Sequence, residues 1–178
     1  MKLCILSDSH DHIVLLHAAV AAAKAAGAEA VLHCGDLVAP SSLQGIERFG
    51  LPIHIIHGNN TGDLFALTKR VASSNNLIHY HGMDADLTLG ERRIFMVHYP
   101  HYAQGMAATG EWDLVCCGHT HRAEQIELPN LRGGTTLLIN PGTVGGVGKA
   151  PATFVMADLA TLTFEFRELP KPVHTFFP

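Results

Sequence analysis

Short apolar runs in this chain break off repeatedly into the same kind of polar cluster. KLCILS (2–7) ends in DSHDH and AVLHC (30–34) in Gly35-Asp36, while PIHIIH (52–57) ends in Gly58-Asn59-Asn60. Further on, RIFMV stops at His98 and DLVCC at Gly118-His119-Thr120-His121. A run of that length, apolar throughout, reads as a strand covered on both faces. Helix formers separate the first three: IVLLHAAVAAAKAAG closes on Gly27, and a helix over 40–49 begins at Pro40, a position that accepts proline. Alternating strands and helices of this kind build parallel pairs, whose outgoing loops share one sheet edge. Ligands of open α/β sheets gather beyond those carboxyl ends. The polar clusters are therefore predicted to be neighbours in space.

The spacing further predicts a helix around 64–74, a hairpin in DLTLGERRIFMVH turning near Gly90, and a short helix over 102–109. AEQIEL, TTLLIN, TFVMADL and TLTFEFREL read as consecutive antiparallel strands. The sum is an α/β chain with two packed sheets flanked by helices. Its 178 residues, 47% hydrophobic and without an internal linker, predict a single domain over 1–178. Lys plus Arg is 12 against 16 for Asp plus Glu, a formal charge of −4, so no basic surface points to nucleic acid. Neither a signal peptide nor a membrane span fits the N-terminus, and no membrane partner is expected. Cys4, Cys34, Cys116 and Cys117 sit in apolar runs without C-x-x-C spacing, which predicts reduced, buried thiols and a cytoplasmic location. The apolar tail VHTFFP suggests no role.

The polar residues just past the strand ends include Asp8, His10, Asp36, Asn59, His98, His119 and His121. In an extended segment residues i and i+2 share a side, so Asp8-x-His10 and His119-x-His121 would each present two donors together. Gly35, Gly58 and Gly118 remove a Cβ where the chain must turn sharply or come close to a bound species. Two carboxylates, four imidazoles and one carboxamide exceed the needs of one tetrahedral zinc site and suit two divalent ions with water completing the shells. Two dications over two carboxylates leave a positive site that attracts a phosphate anion, and paired ions activate water for attack on phosphorus. Simpler roles exist for single members: helix caps for Asp8 and Asp36, a turn residue for Asn59, a strand-end residue for His98. His33, His54 and His57 alternate with apolar residues and read as packing, as do Cys116 and Cys117.

SDSH (7–10), Gly35-Asp36, Gly58-Asn59-Asn60, His98 after its strand, GHTH (118–121) and INPGT (139–143) together resemble the calcineurin-like metallophosphoesterases. Within that family the chain is most similar to small bacterial and archaeal phosphodiesterases of the YfcE type, from Met1 to about Gly142. The resemblance implies a four-layer α-β-β-α sandwich of two mixed sheets flanked by helices. It also implies two divalent ions, Mn²⁺ foremost with Zn²⁺, Fe²⁺ or Ni²⁺ as alternatives. By the family's pattern Asp8, His10 and His121 hold one ion, Asn59, His98 and His119 the other, and Asp36 bridges them. The implied reaction is hydrolysis of a small phosphoester, foremost a phosphodiester, by a metal-bridging hydroxide, with Asp36, Asn59 and His98 in the catalytic set. Homo-oligomer formation stays open.

The chain departs from the family's pattern in places. Asn60 stands where many members carry a histidine that assists the leaving group, the next acidic residue is displaced to Asp63, and HYPH (98–101) replaces His-Gly-His. His12 and His101 are candidates for the missing proton donor. These departures motivate a second expectation, a metal-binding scaffold or protein-interaction module of the same fold with little or no turnover.

Overall fold

The computed structural model describes residues 1–170; the tail VHTFFP lies outside the described residues. The strands are β1 (Lys2–Leu6), β2 (Ala30–His33), β3 (Ile53–Ile55), β4 (Ile78–Tyr80), β5 (Asp84–Leu89), β6 (Arg92–Val97), β7 (Leu114–Cys116), β8 (Ala123–Pro129), β9 (Thr135–Pro141), β10 (Ala152–Asp158) and β11 (Thr163–Leu169). The helices are α1 (Ile13–Ala25), α2 (Leu64–Ala72) and α3 (Pro100–Thr109). One sheet runs β11-β10-β1-β2-β3-β4 and the other β5-β6-β7-β9-β8. Both are mixed: β1 to β4 pair in parallel, as do β6, β7 and β9, with antiparallel strands at the flanks.

The period of two along each strand sorts the apolar side chains into layers. Cys4, Leu6, Val31, Ile53 and Ile55 face α1, which buries Leu15, Leu16, Ala19, Val20 and Ala23 against them. Their alternates Leu3, Ile5, Ala30 and Leu32 meet Ile94, Met96, Leu114 and Ile139 of the second sheet. On the far side, Phe95, Val97, Val115 and Leu138 pack under Ala103 and Ala107 of α3. The result is the four-layer α-β-β-α sandwich expected from the sequence. All four cysteines are free and buried, as expected. Among the described residues no helix is long and apolar enough to cross a membrane.

Several local expectations need correction. Residues 40–49 form two short 3-10 turns, Pro40–Leu43 and Ile46–Phe49, because Gly45 between them takes φ +75° and breaks the helical path. The last four strands are not one consecutive antiparallel run. β8 and β9 pair in the second sheet, and the chain then crosses to the first, where β10 lies antiparallel to β1. Strand β4 carries three residues and too short an apolar pattern to be read in advance. α3 starts at Pro100 rather than at 102.

Two histidines off the polar edge make stability depend on pH. Burial drives His33 down to about 3, with His98 adding to the effect, and its Nε2 lies 3.0 Å from Ser9 Oγ. Burial, then the neighbouring rings of His79 and His81, take His54 to about 4. Both are neutral in the folded chain and protonate readily once unfolded. Their stabilisation is thus complete above the unfolded value of about 6.5 and is lost as pH falls towards 3–4. Urea midpoints measured in chelator are expected to fall from pH 7 to pH 5, with His33 alone supplying about 1 kcal/mol per pH unit. A His54→Gln protein should show a shallower decline; an equal slope would count against this assignment.

Candidate metal centre

The loops after β1, β2 and β3 leave the first sheet at the edge where those after β6 and β7 leave the second. They interlock through the backbone: Asp8 N donates to Gly35 O (3.0 Å), His10 N to Asp36 O (3.1 Å) and Gly118 N to His98 O (3.0 Å). Asp8, His10, Asp36, His119 and His121 all adopt positive φ, between 41° and 72°. Left-handed backbone at non-glycine residues is uncommon and costs about 1–3 kcal/mol where the conformation is unfavourable. Left-handed turns, not the extended alternation anticipated from the spacing, therefore set the directions of Asp8, His10, His119 and His121.

The predicted site residues gather in one cluster in which His10 and His98 approach Asp36 directly. On one side, His121 Nε2 lies 3.3 Å from Asp8 Oδ1 and 3.2 Å from His10 Nε2, which is itself 3.6 Å from Asp36 Oδ2. On the other, His98 Nε2 lies 3.5 Å from Asp36 Oδ1 and 3.1 Å from Asn59 Oδ1, and Asn59 Oδ1 is 2.9 Å from His119 Nδ1. Asp8, Asp36 and His98 are almost wholly buried, whereas His10 and His121 are partly open to solvent.

The donor chemistry fits cations. His98 Nδ1 lies 2.8 Å from the carbonyl of Cys34 and donates its proton there, which leaves Nε2 as the ring atom facing Asn59 Oδ1 and Asp36 Oδ1. Asp8 Oδ1 is buried without a hydrogen-bond partner, while Oδ2 accepts from His119 N at 3.0 Å. Asp8, His10 and His121 form one group able to hold a metal ion, and Asp8, Asp36 and His98 another. Burial pushes the Asp36 carboxyl up, but Asn60's backbone and side-chain amides, with His98 and His10, outweigh it and leave the group below its ordinary value. It is ready to bind as a carboxylate.

The model of the calcineurin-like phosphoesterase superfamily domain matches residues 1–162. The chain belongs to this superfamily. Among curated proteins, this calcineurin-like phosphoesterase is 28% identical over 174 residues to Phosphodiesterase MJ0936 of Methanocaldococcus jannaschii, covering 95% of this chain and 98% of that one. Among solved structures, an archaeal phosphodiesterase superposes with a TM-score of 0.86 at 25% identity over 95% of this chain and 100% of the other. The Yfce phosphoesterase of E. coli, at 18% identity and TM-score 0.59 over 95% of this chain and 98% of its own, shares the fold. So does Vps29 of Entamoeba histolytica, at 14% and 0.60 over 95% of this chain and 98% of its own.

The other polar residues around this phosphoesterase centre hold its loops in place. Asp8 and Asp36 are not helix caps: His12 Nδ1 accepts from Leu15 N at the start of α1, and Ala39 is the N-cap of the 3-10 turn after Asp36, while Asp63 Oδ1 accepts from Ala66 N at the start of α2. His12 and Asp63 thus have structural tasks of their own. Asn60 is turned inward, donating from its backbone (2.9 Å) and side chain (2.6 Å) to Asp36. INPGT lies beside the centre and supports it. Asn140, buried, donates to Gly118 O (2.8 Å) and Thr120 Oγ1 (3.0 Å), fixing the GHTH turn. Thr143 Oγ1 donates to Asp8 O (2.7 Å). The Asn-Pro-Gly turn signal at 140–142 hints at the Asn140 role. Thr143 closes the INPGT motif, but its partner Asp8 is far away in the chain and is not legible from the motif.

Proposed function

We propose that this protein is a metal-dependent phosphodiesterase acting on a small phosphoester. The single observation carrying this reading is the convergence of two donor sets on one buried carboxylate, Asp36. Asp8, His10 and His121 would hold one ion and Asn59, His98 and His119 the other, with Asp36 between them. Divalent ions there, Mn²⁺ foremost and Zn²⁺, Fe²⁺ or Ni²⁺ as alternatives, would supply positive charge to the phosphoryl oxygens and a nucleophilic water near neutral pH. The chain's own residues do the rest. Cys34 O fixes the His98 tautomer, Asn140 and Thr143 hold the loops, and Asn60 orients Asp36. The interleaved apolar clusters favour treating 1–178 as one domain, and the free buried thiols favour the cytoplasm.

Asn60 has no proton to give a leaving group, because its amide is neutral and engaged with Asp36. General acid assistance is worth roughly 10²–10⁴-fold. After dialysis against chelator, added Mn²⁺ is expected to restore turnover, with aryl phosphodiesters hydrolysed much faster than alkyl diesters or monoesters. Turnover indifferent to metal would overturn the reading. Protein that binds metal yet hydrolyses no phosphoester would move it to the binding module of the same fold.

A further inference from the structure

A cavity of about 670 Å³ opens beside the centre, within the size range of small-molecule sites. Its inner end is formed by Asn59 and His98, so it is continuous with the proposed metal ligands. Most of its wall is apolar, with Phe95 from β6, Tyr99, Tyr102 and Met106 from the α3 segment and Met83, beside Asp84 and His101. The aromatic rings form a path outward from the centre. Tyr99 stands 5.0 Å from the His119 ring and 5.3 Å from the His98 ring, edge to face, and 5.8 Å from Tyr102. At the mouth Tyr102 and Met83 are 55% and 65% exposed, an uncovered apolar surface beside a charged site.

Gly105 is the independent clue. It sits inside α3, where glycine weakens a helix, yet its backbone is ordinary and a Cβ there would meet nothing within 4 Å. Neither conformation nor packing requires glycine at this position. It is one of the residues that line the cavity.

We propose that this cavity receives the organic group of the phosphoester substrate, and that this group is a flat aromatic or heteroaromatic ring. The inference rests on the phosphodiesterase reading and adds the substrate class. Tyrosine, phenylalanine and methionine favour flat, polarisable rings over alkyl chains, by ring stacking and by sulfur contacts. A ring stacked on such side chains typically gains about tenfold or more in affinity.

The test measures binding by calorimetry, without turnover, so that a missing hydrolytic activity and a misassigned cavity give different results. Mn²⁺-loaded protein is titrated with methyl phosphate, phenyl phosphate and thymidine 5′-monophosphate, which share a phosphoryl group and differ in what it carries. Phenyl phosphate and thymidine monophosphate are expected to bind at least about tenfold more tightly than methyl phosphate. The stronger of the two tells a simple aryl ester from a nucleoside one. In Gly105→Phe, whose side chain fills the cavity, the advantage over methyl phosphate should fall below about threefold. Tyr102→Ala, at the exposed mouth, serves as a second variant and should reduce it as well. Equal binding of all three ligands, no binding of any, or an advantage that survives in both variants would overturn the assignment.

Discussion

Replacing Asp36 by asparagine is expected to cut phosphodiester turnover by on the order of a thousandfold, the scale of several kcal/mol of lost charge stabilisation. The carboxylate faces both donor sets: Oδ2 lies 3.6 Å from His10 and Oδ1 3.5 Å from His98. Asparagine has the same shape but turns an amide N–H₂ towards either a lone pair or Asn60, whose own amides already donate there. One oxygen is left where two are needed. Metal content measured by mass spectrometry should fall with activity, while circular dichroism stays that of the native fold. A variant keeping both its metal and its rate would remove Asp36 from the centre of the mechanism.

The second large effect is expected from a single methyl group. Gly58 has no unusual φ, so alanine is conformationally allowed, but its Cβ would overlap Asp36 Oδ1 and lie 2.7 Å from His98 Nε2. Either the carboxylate or the imidazole must give way, and both are buried with little room to move. Gly58→Ala should therefore lose at least about a hundredfold in activity, since a displacement of about 1 Å at such a site costs that much. Its metal affinity should drop in parallel. The urea midpoint in chelator should fall as well, because overpacking of this size typically costs about 1–3 kcal/mol, while the protein stays folded in buffer. Near-native turnover would mean that the close approach of this backbone to Asp36 and His98 is not functional.

Much of this arrangement is legible in the sequence for a physical reason. Parallel strands must deliver their loops to one edge, so an apolar run ending in Asp8, Asp36 or His119 already locates the residue in space. All the predicted donors meet there. Features that depend on local backbone conformation or on distant partners are not legible. The spacing of His119 and His121 looks the same in an extended strand and in the left-handed turn that actually holds them. Gly45 splits 40–49 into two turns, although the pattern around it is helical. The switch of TFVMADL into the first sheet depends on β1 having an unpaired edge, which no local signal reveals. INPGT flags Thr143 as part of the motif, but not Asp8 as its partner.

That sheet switch also orders events during synthesis. β1 emerges first but lies in the interior of its sheet, between β2 and the late strand β10. Val144 N donates to Ser7 O and Thr143 to Asp8 O, just ahead of β10. The segment bearing the earliest donor thus acquires its final supports only when residues beyond 140 have left the ribosome. A ribosome-stalled fragment ending before β10 could form its αβ units, yet Asp8 would still lack part of its scaffolding. A segment far down the chain thus completes the scaffolding around Asp8.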